Sequence, residues 1–188
     1  MTNISKKIVF FGTEDFSLGT LTKLIETGYQ ISAVVTKPDS KKGRGQTLIP
    51  PAVKVFAEQH DIPVWQPSKL AEITELIRSL QPVVGILVSY GKIIPQSIID
   101  LFDPGIINVH PSLLPRYRGP SPVETAILQG DSETGISIMQ LSAKMDAGPV
   151  YQQRAYIKVT AKDALYNNLS IVGSEMLAEA LPLIVDGS

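Results

Sequence analysis

The sequence contains no cysteine, so disulfides, thiolate metal centres and cysteine nucleophiles are excluded at the outset. It has only two histidines, His60 and His110, and a histidine-rich metal site is not expected. The formal net charge of −1 argues against a surface that coats nucleic acid, while leaving a local basic patch open. The opening stretch MTNISKKIVFFGTEDF has an apolar run too short for a membrane span, and acidic residues follow at once. Neither a secretory signal nor a transmembrane segment is evident, so a cytoplasmic protein with no membrane partner is expected. Nucleotide fingerprints are missing too. Gly12-Thr13-Glu14-Asp15 is not G-x-G-x-x-G, and no G-x-x-x-x-G-K-[ST] occurs. Acidic side chains at that helix start would repel a pyrophosphate.

What is present describes an ordinary globular chain. Its 188 residues are 44% hydrophobic and 19% charged, enough for one domain with a substantial core. Lys7–Gly12 reads as a buried strand. Asp15–Gly28 carries a helical apolar stripe closed by a glycine, and Ile31–Thr36 reads as a second strand. Strand, helix and strand in so short a span mark a βαβ unit and a parallel sheet. Ala52–His60 and Lys69–Leu80 follow as helices, with a short strand over Ile62–Trp65 between them. Val83–Ser89 is a near-continuous apolar strand, suited to the middle of a sheet covered on both faces. Ile94–Phe102 predicts a helix and Ile106–Val109 another strand. Ser121-Pro122-Val123-Glu124 has the form of a capping box opening a helix that runs to Gln129. Gly135–Leu141 and Val150–Val159 predict paired strands. Thr160-Ala161-Lys162-Asp163 is a second capping signal, before a long final helix over Asp163–Val185.

Lys37–Pro51 breaks this pattern. It holds three prolines, two glycines and four basic residues, with little that packs. Such a loop inside a compact domain has two readings. One is an electrostatic contact with phosphates through Lys37, Lys41, Lys42 and Arg44; the other is a solvated loop.

The stretch Ile106–Gly119 concentrates the chemistry. Strand alternation points Asn108 and His110 to one face with Val109 behind them, and Pro111 and Pro115 stiffen the loop that follows. Tyr90-Gly91 leaves a neighbouring strand at its carboxyl end, where ligands gather in open α/β sheets. Asp146, beside Ala147-Gly148-Pro149, is the third candidate. Taken alone, each of the three also has a structural reading, as a turn residue or a satisfied strand-end side chain.

At these residues a resemblance is apparent. NVHPSLLPRYRG and GDSETGISIMQLSAKMDAGPV, with FFGTEDF and VSYGKIIP, closely resemble the core of the folate-dependent formyltransferases. KPDSKKGRGQTLIPPAVK resembles the loop with which the methionyl-tRNA formyltransferases within that superfamily meet the tRNA acceptor end. Glycinamide-ribonucleotide and sugar-formylating relatives share the Asn-His-Pro-Ser-Leu-Leu-Pro core, so the basic loop is what favours the tRNA acceptor.

The resemblance implies a Rossmann-like α/β fold: an open, mostly parallel twisted sheet, helices on both faces and a C-terminal antiparallel hairpin. It implies 10-formyltetrahydrofolate as donor, initiator Met-tRNA as acceptor, no metal and a monomer. Asn108 would bind the formyl oxygen and protonated His110 the developing oxyanion. Asp146 would orient the imidazole and relay the amine's proton. Tyr90, Gly91, Ser112, Leu113, Leu114 and Pro115 would line the folate site, and Lys41, Lys42 and Arg44 would meet tRNA. Arg116 and Arg118 have two readings, substrate contact or loop pairing. Tyr117 stands where the family usually has Trp, and Pro120-Ser121-Pro122 departs from its small-residue run. Residues 1–188 are expected to be a catalytic domain lacking the family's smaller C-terminal tRNA-binding domain. The alternatives are a relative with another acceptor (an amino sugar nucleotide, glycinamide ribonucleotide or water) or a non-catalytic folate- or RNA-binding module.

Overall fold

The computed structural model describes residues 6–42, 45–157 and 162–187. One seven-stranded sheet, ordered β5-β2-β1-β6-β7-β8-β9, organises the chain. Strands β1 (Lys7–Gly12), β2 (Gln30–Val35), β5 (Val64–Trp65), β6 (Val84–Val88) and β7 (Ile106–His110) run parallel. Strands β8 (Glu133–Gln140) and β9 (Val150–Ile157) close that edge antiparallel, as the predicted pair.

Strand alternation divides the core in two. Ile8 and Phe10 of β1, with Ile107 and Val109 of β7, face α1 (Phe16–Glu26) and α6 (Lys162–Asp186). Val9, Phe11 and Ile106 face the opposite side, under α3 (Thr74–Leu80) and α4 (Gln96–Ile99). Asn108 and His110 therefore share the face of Ile106, and Val109 lies behind them as expected. By length and composition α6 could cross a membrane, but its Leu165, Leu169, Met176, Leu177 and Leu181 are buried in the first core. Its apolar content goes to covering the sheet.

Several expectations are corrected locally. The segment 37–51 is not an unstructured loop: β3 (Ser40–Lys42) and β4 (Thr47–Ile49) pair antiparallel as a small exposed hairpin, leading into α2 (Ala52–Gln59). Helix 69–80 opens as a 3₁₀ turn over Leu70–Ile73 before α3, and the helix expected over 94–102 shrinks to the four residues of α4. Pro95 bounds it at the N-terminal side, as the N-cap. At α5 (Pro122–Leu128) the capping box does not form. Ser121 makes no side-chain cap, and the Glu124 carboxylate instead accepts from Lys162 Nζ and Tyr166 on α6, each at 2.9 Å. A charged partner offers more than a peptide N–H already near solvent. Thr160 and Ala161 of the second capping signal lie outside the described residues.

Candidate active site

The parallel register sets Leu87 of β6 against Asn108 of β7, so Tyr90-Gly91 and His110 leave the sheet at the same end on adjacent strands. Asn108 and His110 are only 5% and 4% exposed. The Asn108 amide makes no side-chain hydrogen bond with any described residue. The residue is nearly buried, but its polar atoms are not among the fully buried unpaired ones of the described residues, so the amide opens onto the site.

His110 has a partner on each ring nitrogen. Nε2 lies 3.0 Å from the Tyr117 carbonyl oxygen, and Nδ1 lies 3.8 Å from Asp146 Oδ2. The second is an ion-pair distance, longer than a hydrogen bond. Asp146 reaches the ring from the 141–149 segment that crosses back over the sheet, and Oδ2 accepts from the Gly119 N–H at 2.8 Å. Asp146 itself has a left-handed backbone (φ 46°), as do Tyr117 (φ 54°) and Gly119 (φ 104°). Both segments are thus bent sharply where they meet. Gly148 is needed for a different reason: a methyl there would run into the Gln140 carbonyl oxygen.

The loop after β7 is tied on its inner side. The Ser137 hydroxyl of β8 donates to the Ser112 carbonyl at 2.7 Å and accepts from the Leu114 N–H at 3.1 Å. Gln153 of β9 donates to the Leu114 carbonyl at 2.9 Å, and the Ser112 hydroxyl donates to the Arg116 carbonyl at 2.6 Å.

This convergence of amide, imidazole and carboxylate at one strand end can be set beside known proteins. The family model described as "Formyl transferase" matches residues 6–181. The chain belongs to the formyl transferase family. Methionyl-tRNA formyltransferases from Geobacter metallireducens and Halalkalibacterium halodurans are each 45% identical to it, over 96% of this chain. The chain spans 60% and 58% of their lengths. Among solved structures, a phosphoribosylglycinamide formyltransferase from Streptococcus pneumoniae superposes with a TM-score of 0.78 at 18% identity, covering 96% of this chain and 99% of that one. A formyltetrahydrofolate deformylase from Pseudomonas syringae gives 0.79 at 21% identity, covering 98% of this chain and 63% of that one. At such identities the likeness shows the fold: the Rossmann-like, mostly parallel sheet.

Within this formyl transferase domain, the other predicted residues fall into distinct environments. The Tyr90 ring is 1% exposed and packs edge-on against Phe11, and burial pushes its hydroxyl up to about 12. Its carbonyl accepts from Thr13 Oγ1 at 2.9 Å, which ties the ends of β1 and β6 together. Gly91 (φ 70°) is exposed, with the Lys37 ammonium packed where a side chain would be. Ser112 and Leu114 are buried, Leu113 packs on Gly135 of β8, and Pro115 is exposed. The Ser-Leu-Leu-Pro stretch thus spends most of its side chains fastening the loop. Arg116 is paired: it donates to Asp131 at 2.9 and 3.1 Å. Lys41 is exposed on β3, while Arg44 and the side chain of Lys42 lie outside the described residues.

The residues missed by sequence reasoning are Tyr117 through its carbonyl, Asp131, Ser137 and Gln153. A cavity of about 590 Å³ also went unforeseen; it is lined by Ile99, Phe102, Gln140, Leu141 and Ser142 among others, and shares the 141–149 segment with Asp146. None of these carries a motif, and each acts through a pairing between distant segments.

Proposed function

We propose that this chain transfers the formyl group of 10-formyltetrahydrofolate to the methionine amino group of initiator Met-tRNA, with Asn108, His110 and Asp146 as its catalytic residues. The observation that carries the reading is the Asn108 amide: 5% exposed, unpaired among the described residues, and two positions along one strand face from an imidazole that has a carboxylate 3.8 Å away. A ligand that accepts from this amide also faces the ring, so one carbonyl oxygen can meet both groups. The names of the 45%-identical relatives supply the acceptor.

The folate donor supplies an activated formyl carbonyl. The Asn108 NH₂ donates to the formyl oxygen and fixes its position. His110 in its charged form offsets the negative charge that builds on that oxygen as the amine attacks, often the largest contribution in acyl transfer. Asp146, or water held by it, accepts the proton the amine gives up and passes it to the folate nitrogen as the bond between that nitrogen and the formyl carbon breaks, and the carboxylate keeps the charged imidazole oriented. The site lies under the 141–149 segment, whose closeness excludes bulk water from the ring. A neutral amine is already a competent nucleophile, so the reading invokes neither a metal nor a covalent enzyme intermediate. We place the folate across the Tyr90-Gly91 turn and the Ser112–Pro115 loop, toward the cavity behind the 141–149 segment. Lys41, Lys42 and Arg44 are assigned to the phosphates of the acceptor end, and the chain acts as a cytoplasmic monomer.

The test is an acceptor panel with 10-formyltetrahydrofolate. Formyl-methionyl-tRNA should form, and His110→Ala should slow its formation by roughly 10²- to 10³-fold. Formylation of an amino sugar nucleotide or glycinamide ribonucleotide but not of Met-tRNA, or release of free formate in place of transfer, would overturn the acceptor assignment.

A further inference from the structure

The two nitrogens of His110 are not equivalent. A carbonyl oxygen can only accept, so the 3.0 Å contact with the Tyr117 carbonyl requires the proton on Nε2. Nδ1 has no such commitment. Asp146 is 3.8 Å away, beyond hydrogen-bond reach, and its facing oxygen also accepts from the Gly119 N–H. We propose that Nδ1 is the working nitrogen of His110, the one that carries its charge to the formyl oxygen. We further propose that Asp131 is a positioning residue that commits Nε2 by holding the Tyr117 main chain. The inference rests on the proposed function for what Nδ1 does, but not for which nitrogen is tied.

The geometry explains why a second residue is needed. Tyr117 has φ 54°, a left-handed conformation that a bulky aromatic residue rarely keeps unaided. Asp131 supplies the restraint. It accepts the Tyr117 hydroxyl at 2.6 Å and takes both contacts from Arg116, the preceding residue, whose guanidinium lies 5.0 Å over the Tyr117 ring. The Asp131 hydrogen bond is the chief cause that raises the Tyr117 hydroxyl pKa, which keeps that hydroxyl a donor. From the other side, Ser112 fixes the Arg116 carbonyl at 2.6 Å. Asp131 is itself anchored just past α5, where its N–H donates to the Ala126 carbonyl at 3.0 Å. The side chain is only 16% exposed, so the clamp is partly sheltered from competing water. Loss of the clamp frees the Tyr117 carbonyl to swing away, and Nε2 and Nδ1 then compete for the proton.

His60 provides an internal reference of opposite sense. Its Nδ1 lies 2.8 Å from the Phe56 carbonyl, which requires the proton on Nδ1. Proton–nitrogen correlation spectra of the full chain labelled in histidine nitrogen, recorded at alkaline pH, should show two neutral rings of different tautomer: Nε2–H for His110 and Nδ1–H for His60. In Tyr117→Phe, which keeps the ring, and in Asp131→Asn, which keeps the shape, His110 should pass into a tautomer mixture while His60 stays unchanged. The same variants should lose roughly 10- to 100-fold in kcat, the scale of losing an orienting partner, with KM for the folate donor unchanged. An Nδ1–H tautomer at His110 in the unaltered chain overturns the proposal. So does an unchanged tautomer and kcat in both variants. A chain that transfers no formyl group to any acceptor sinks the proposed function instead, and the tautomer then decides this inference by itself.

Discussion

Two segments leave the carboxyl ends of parallel strands here, and both carry prolines and basic residues. The one after β7, residues 111–121, is fastened from three sides: by Ser137 and Gln153 beneath it, Asp131 at its outer end and Asp146 across it. The one after β2, residues 37–51, is tied at its root. There Asp39 accepts from Lys54 at 2.9 Å and from Gln66 at 2.8 Å, and beyond that β3 and β4 stand in solvent with Leu48 60% exposed. The contrast fits the two kinds of work proposed for these segments. Charge that develops at one atom must be met by groups held to fractions of an ångström, whereas a polyanion can be met by mobile cations. The basic side chains show the difference best: in its loop Arg116 is paired to Asp131, while Lys41 is exposed on β3.

Breaking the fastened segment should have the larger effects. His110→Ala should lower formyl transfer by roughly 10²- to 10³-fold with the fold intact, measured as kcat beside a thermal melt. Gly148→Ala drives a methyl into the Gln140 carbonyl and must displace the segment bearing Asp146. A loss of about 1–3 kcal/mol in urea unfolding is expected, together with a fall in activity. Ser137→Ala strands the buried Leu114 N–H and Ser112 carbonyl, which should cost about 1–3 kcal/mol by the same measurement.

The open segment should respond in binding rather than stability. Lys41→Ala should leave the melt unchanged and reduce the salt dependence of tRNA binding by a slope of about 1. A change in folate affinity instead would erase the distinction between the two segments. The smallest effect concerns acid. The hydrogen bond from Gln66, then that from Lys54, holds the Asp39 carboxyl below the ordinary carboxylate range. Its contribution is therefore complete above the unfolded value and lost as pH falls through the depressed one. Amide exchange in β3 and β4 should quicken over that window before the sheet strands respond.

The division of what was legible follows the range of the interactions involved. Local patterns sufficed for β1-α1-β2, because a period of 3.6 giving way to an apolar run is written in adjacent residues. They sufficed as well for the pairing of β8 with β9 and for the shared face of Asn108 and His110. They failed at α5, where Ser121 and Glu124 have the spacing of a capping box but Glu124 turns to Lys162 and Tyr166 on a helix far along the chain. They also failed at Ser40–Lys42 and Thr47–Ile49, which pair as strands although they have little to bury.

By itself, the sequence determined that this chain builds a parallel sheet with helices on both faces, that cysteine chemistry has no part in it, and that an amide and an imidazole emerge side by side from one strand. Only the tertiary structure decided that Asp146 folds back over that strand, that Arg116 is bound to Asp131, and that a main-chain carbonyl in a left-handed turn occupies one nitrogen of His110. Periodicity is a property of neighbours and can be read from order alone. A proton's place on a ring is set by whichever acceptors the fold brings to its two edges, and here both come from segments that no local pattern links to it.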